Sequence, residues 1–403
     1  MKARYLFPKD YMADPSANVF NGRLYVYPSH DWDSGECFDD DGGHFQMRDY
    51  HVLSMDDVME GEVTDHGVIL DVDQVPWAEK QMWDNDVVEK NGKYYLIFSA
   101  KDYTGVFHLG VAVSDTPEGP FRPEPAPIIG SYSIDPCVFK DDDGEVYCYF
   151  GGIWGGQLQW YRDNKLKPAA SVGEENFRPT MLPEGDEVAL PSRVARMTAD
   201  VLQFAEAPKA VLIVDENGEP LKANDPHRFF EASWMHKKDG KYYFSYSTGD
   251  THFLCYAVGD NPYGPFTYQG VILEPVVGWT THHSIAEYKG QWYLFHHDCV
   301  PSNDTTWLRS LKVKPIEFDE EGRIKTMKSE ERVKVKACTS GFSNQFNNNR
   351  RICNLTVTLW LQILFFVPFH EDSLQKRIFL LFFHEHSRAP TYLYQYEREF
   401  DER

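Results

Sequence analysis

The chain has 403 residues, with 40 Lys+Arg against 62 Asp+Glu and a formal net charge of −22. Such a field disfavours nucleic acid, anionic membranes and polyanionic substrates, so none of these is an expected partner. The 42% hydrophobic content is ordinary for a globular protein, while 15% aromatic residues is a high load that suits β-structure and sugar stacking alike.

The charge is unevenly placed. Residues 337–403 hold seven basic and seven acidic side chains, so residues 1–336 carry the whole −22. Only Gly341 of the 28 glycines lies in that tail. Two compositions therefore meet near Lys336, and the expected division is one large domain over 1–336 and an atypical tail over 337–403: a docking segment, a truncated sandwich or a shifted reading frame. The seven cysteines form no CxxC or Cys/His cluster and read as free thiols. The first ten residues lack the apolar stretch of a secretory signal, which makes the cytoplasm the expected location. Oligomeric state leaves no trace in the sequence.

In chain order, one pattern recurs five times: a turn residue and glycine, then an aromatic run with tyrosine three places on. The segments are Gly22-Arg-Leu-Tyr25, Gly92-Lys-Tyr-Tyr95, Gly144-Glu-Val-Tyr147, Gly240-Lys-Tyr-Tyr243 and Gly290-Gln-Trp-Tyr293. Asn-Gly or Asp-Gly between apolar runs is the strongest short-range hairpin signal. Further elements recur as Ser114 to Phe121 and Gly259 to Phe266, and as His66 to Leu70 and Gln269 to Leu273, which read as blade ends. The hairpin glycines from Gly22 to Gly290 stand about 67 residues apart on average, enough for four-stranded blades, and no sustained helical periodicity precedes residue 336. The predicted fold is all-β, a five-bladed β-propeller.

In a propeller, equivalent positions on the inner strands converge on one axial funnel. Counting back eight or nine residues from each hairpin glycine gives Asp14, Asp84 (with Asp86 close by), Asp135, Glu231 and His282. Four acids and a histidine in register have no matching Arg or Lys at equivalent positions, and like charges gathered in one funnel have their pKa values pushed apart. Glycoside hydrolysis needs that separation, with a carboxylic acid to protonate the leaving oxygen and a carboxylate to activate water or act as nucleophile.

The sequence resembles glycoside hydrolase family 43 over roughly residues 5–335, through Ala13-Asp14-Pro15-Ser16, Ile134-Asp135-Pro136, Phe230-Glu231-Ala232 and His282-His283-Ser284-Ile285. The resemblance implies a five-bladed propeller that releases terminal pentoses, β-D-xylose or α-L-arabinofuranose, from neutral plant-type oligosaccharides with inversion. By matching position it makes Asp14 the general base, Glu231 the general acid, and Asp135 the residue that raises the acid's pKa and orients the sugar. It also implies that His282 faces the channel and can help hold a hydrated cation, often calcium, through water, with no cofactor required. Where the family has a motif like Trp-Ala-Pro-Asp, this chain has Trp83-Asp84-Asn85-Asp86, an extra acid that bears on the polarity of the sugar subsite. Expected sugar contacts are Asp31 and Trp32 after the first hairpin, Trp83 and Asp86, Trp154 after the third, His282, and Arg309 after the fifth. His296, His297 and Asp298 read as plain strand-end residues. Two other readings remain open: a non-catalytic carbohydrate-binding propeller, and a retaining fructan-type hydrolase, whose signatures would place other residues at Ala13 and Ile134.

Overall fold

The computed structural model describes residues 3–329 except 37, 40, 163 and 166–181. The tail over 337–403 lies outside the described residues. Five sheets of four or five strands follow one another along the chain, antiparallel except where Ile213–Val214 pairs in parallel with Phe266–Leu273. One strand from each, Met12–Phe20, Asn85–Lys90, Cys137–Lys140, Glu231–Lys238 and His283–Tyr288, is innermost, and these five touch in a closed ring. This is the five-bladed propeller that the glycine register predicts, and among the described residues its only helices are short 3-10 turns. The last blade is completed by the N-terminus, where Arg4–Tyr5 pairs with Ser310–Pro315.

Each predicted hairpin joins the innermost strand of a blade to its neighbour. In four of them the turn pair has both φ values positive, as in Asn21 (52°) and Gly22 (77°), or Lys289 (52°) and Gly290 (79°). That is the two-residue turn whose twist matches the flanking strands. In the third blade Lys140 pairs with Val146, and a five-residue loop replaces it. The described cysteines Cys137, Cys148, Cys255 and Cys299 are buried free thiols.

Blades pack through aromatic side chains at their faces. Phe244 is fully buried, with ring centroids 6.0 Å from Tyr149 of the neighbouring blade and 5.5 Å from Phe266. Phe244→Ala removes the ring from a site walled by neighbouring sheets that cannot collapse independently. We expect a loss of about 3–5 kcal/mol in urea unfolding; a loss below about 1 kcal/mol would mean that this interface does not hold blades three and four together.

Candidate active site

The funnel acids sit where the inner strands break their own pairing. Asp14 (φ 49°), Asp135 (φ 59°) and Ala232 (φ 60°) occupy the left-handed region although none is glycine. In the first blade the strand register slips between Ala13 and Ser16, and in the fourth between Glu231 and Trp234. Such bulges re-aim side chains and leave backbone N–H groups unpaired. Neighbouring blades supply acceptors: the Ala232 N–H donates to Asp135 Oδ2 at 2.7 Å, and the Asp14 N–H to His297 Nδ1 at 3.1 Å. His297 Nε2 lies 3.1 Å from the Thr280 carbonyl oxygen, which fixes the ring with Nε2–H donating. His297 is therefore a support for Asp14 rather than a plain strand-end residue.

Asp14, Asp84, Asp135, Glu231 and His282 line one axial cavity. Trp83, Trp154 and Arg309 also line it, as expected. Its wall contains an aromatic trio that sequence reading missed in part: Trp154, Phe230 and Trp279, with centroids 5.5–5.8 Å apart. Gly152 lets the wall close, because a Cβ there would stand 2.7 Å from Ile134 and 3.2 Å from Glu231 Cβ.

Three expected sugar contacts lie elsewhere. Asp86 is two residues beyond Asp84, on the Asn85–Lys90 strand, and does not line the cavity. There it is buried, accepting from Ser16, from Asn18 Nδ2 at 2.8 Å and from the Val138 N–H at 2.7 Å, and it laces three blades together. Asp31 turns onto Arg309 and does not line the cavity. Its neighbour Trp32 turns outward, 45% exposed beside His30.

Arg309 is the hub. Its Nε and Nη2 donate to both oxygens of Asp31 at 2.9 and 2.7 Å, and its Nη1 donates to Asp14 Oδ1 at 2.7 Å. Asp14 Oδ2 is buried without a hydrogen-bond partner among the described residues and remains able to take a proton. Burial raises the pKa of Asp14 and Arg309 pulls it back, leaving it at about 7. Glu231, raised first by burial and then by the charge of Asp84, stands at about 8. Burial also raises Asp84, but His282, 2.8 Å away, and Asp135 outweigh it and hold Asp84 well below the usual range. Asp135 is pushed up by burial and by Asp84, so it keeps its proton. The extra acid Asp84 is thus the main negative charge beside Glu231.

A closed ring of blades with a protonated carboxyl and a supported carboxylate in one axial pocket defines a glycoside hydrolase. Sequence comparison places it among them: residues 61–189 match the glycosyl hydrolases family 43 model. A β-xylosidase of Xylanibacter ruminicola is 76% identical over 329 residues, 81% of this chain and 100% of that protein. A xylosidase/arabinosidase 43A of Humicola insolens is 58% identical over 325 residues, 79% of this chain and 98% of that one. Among solved structures, the RS223 β-xylosidase shares 61% identity with a TM-score of 0.78, covering 82% of this chain and 99% of its own. A family 43 β-xylosidase/α-arabinofuranosidase from a compost metagenome, solved with xylotriose in a calcium-free form, shares 55% identity and a TM-score of 0.78, covering 81% and 98%. The chain belongs to glycosyl hydrolase family 43 and is a glycosidase.

Arg309→Lys keeps a positive charge but cannot grip Asp31 with two parallel bonds while reaching Asp14. Its pull on Asp14 weakens, and Asp14 stays protonated to higher pH. The acidic limb of kcat/KM should then rise by up to about one unit, with the basic limb unmoved; an unshifted acidic limb would separate that limb from Asp14.

Proposed function

We propose that this glycosidase is exo-acting and inverting, and that it releases terminal pentoses, β-D-xylose or α-L-arabinofuranose, from neutral xylan-type oligosaccharides. The observation that carries the chemistry is the unequal pair: Asp14 with one oxygen pinned by Arg309 and the other unpartnered, and Glu231 with its pKa pushed up to about 8. The names of the similar enzymes support the pentose.

In this reading Glu231 donates its proton to the glycosidic oxygen as the bond to the anomeric carbon breaks. Asp14 Oδ2 takes a proton from a water that attacks the same carbon from the opposite face. Glu231 ends ionised and Asp14 protonated, and exchange with solvent resets both. Arg309 keeps Asp14 ionised below the pKa that burial alone would impose. Asp135 positions rather than charges: Oδ2 holds the Ala232 N–H and so fixes the bulge that carries Glu231. The aromatic trio supplies apolar faces for the ring.

Asp14, Asp84 and His282 each place a donor atom within 4.8 Å of the others. Hard calcium takes six to eight oxygens, and here Asp84 is paired with His282 and Asp14 with Arg309. The donor set fits a hydrated ion held largely through water, with His282 and Asp84 nearest. Such an ion would supply positive charge at the base of the pocket.

Two experiments test the reading. Glu231→Ala should lower kcat on unactivated xylo-oligosaccharides by roughly 10²–10⁴ and by much less on nitrophenyl glycosides, whose leaving group needs no proton; equal losses on both would remove Glu231 as the acid. Proton NMR of the first-formed sugar should show the anomer opposite to that of the substrate. Retention would exclude Asp14 as a water-activating base, and sugar binding without turnover across a pentoside panel would favour the non-catalytic reading.

A further inference from the structure

Away from the axial pocket, one cluster has the composition of a metal centre. His30 ends the Arg23–His30 strand, and Asp49 and His51 sit on the adjacent Asp49–Met55 strand. One donor atom from each lies within 4.8 Å of the others. Asp49 Oδ1 is 2.7 Å from His30 Nδ1 and 3.7 Å from His51 Nε2. Ligand atoms of a tetrahedral site with bonds near 2.1 Å stand about 3.4 Å apart, which those two separations bracket.

The far side of each ring carries the second observation. His51 Nδ1 is 3.0 Å from Asp65 Oδ1, and His30 Nε2 is 3.4 Å from Asp10 Oδ2. Each imidazole thus turns one nitrogen toward Asp49 while a separate carboxylate holds the other. Proteins use this arrangement to fix the tautomer and raise the basicity of metal-ligating histidines. The His30, Asp49 and His51 side chains are 14%, 3% and 11% exposed, whereas Asp10 is 45% exposed and marks the way in. Three carboxylates around two imidazoles also call for a cation.

We propose that His30, Asp49 and His51 bind a divalent transition ion of the zinc class, with water completing the coordination. Two imidazoles and one carboxylate favour Zn²⁺ or Co²⁺ over Ca²⁺, which prefers oxygen. The ion would tie two strands of the first blade together at the residue before Asp31, whose carboxylate grips Arg309. Its role is structural, stiffening the strand end that aims Asp31.

The test strips the untagged full-length enzyme with a chelator and titrates it with Co²⁺ in excess Ca²⁺. We expect one equivalent bound at micromolar Co²⁺ with visible absorption of a low-coordinate nitrogen/oxygen site, displacement by Zn²⁺, and a higher Tm. His51→Gln should abolish this equivalent, and Asp65→Asn, which only loosens the outer carboxylate, should weaken it about 10–100-fold. His282→Gln, in the axial cluster, should leave it in place. No Co²⁺ bound by the wild type, a signal that survives His51→Gln, an affinity unchanged in Asp65→Asn, or a signal lost in His282→Gln would each overturn the proposal. If His51→Gln does not fold, Asp65→Asn decides alone.

Discussion

The site depends on one buried guanidinium. Arg309 is inaccessible to solvent, and burial alone would lower its pKa, yet Asp14 and Asp31 hold it firmly charged. An isolated buried charge is costly, and only close pairing with complete hydrogen bonding offsets the lost hydration. Arg309 uses Nε, Nη1 and Nη2 on the two carboxylates, and its own backbone N–H also donates to Asp31 Oδ2 at 2.8 Å. Asp31 thereby fixes the guanidinium plane, and the plane fixes which Asp14 oxygen is occupied. The division of labour between two acids in the same pocket begins there: an arginine eases the ionisation of Asp14 against burial, while burial and Asp84 hold the proton on Glu231.

The second constraint is backbone geometry. Left-handed φ at a non-glycine residue costs on the order of 1–3 kcal/mol, and Asp14, Asp135 and Ala232 all adopt it. A ring of five blades can hold such conformations because each inner strand is braced on both sides. The braces are specific: Ala17 N–H to Ser284 Oγ at 3.1 Å, Trp234 Nε1–H to the Ile285 carbonyl at 3.0 Å, and the Asp135 and His297 acceptors already noted. Strain at the acids is thus balanced by contacts between blades, which ties chemistry in one blade to the folding of the next.

Much of this was legible because a propeller repeats. Five hairpin glycines set five registers, and counting back from them reached Asp14, Asp84, Asp135, Glu231 and His282, all of which line the same cavity. Asp86, expected beside the sugar from its place in the Trp83-Asp84-Asn85-Asp86 motif, instead accepts from Ser16, Asn18 and Val138, because a motif does not say which of its acids a neighbouring blade will bind. The expectation for Trp32 failed because the chain has left the strand there, and no period then says which way a side chain turns. The grip of Arg309 on Asp31 spans 278 positions and joins two segments outside the repeat, so no local pattern announces it. Trp279 and Phe230 were hidden for a related reason, because loops that meet only after the ring closes carry no shared spacing.

Chemistry and selectivity occupy different parts of the molecule. Asp14 and Glu231 stand at strand bulges fixed by neighbouring blades, while much of the cavity wall comes from loops around Phe45, Trp154 and Trp279. Loops accept change that a braced strand cannot. A single catalytic layout can therefore serve pentoses that differ in ring form, with the wall deciding which face of the sugar meets Trp154 and Trp279. On that view the charge of the chain is mostly solvated surface, and the few acids that matter are those whose pKa values the ring of blades drives apart.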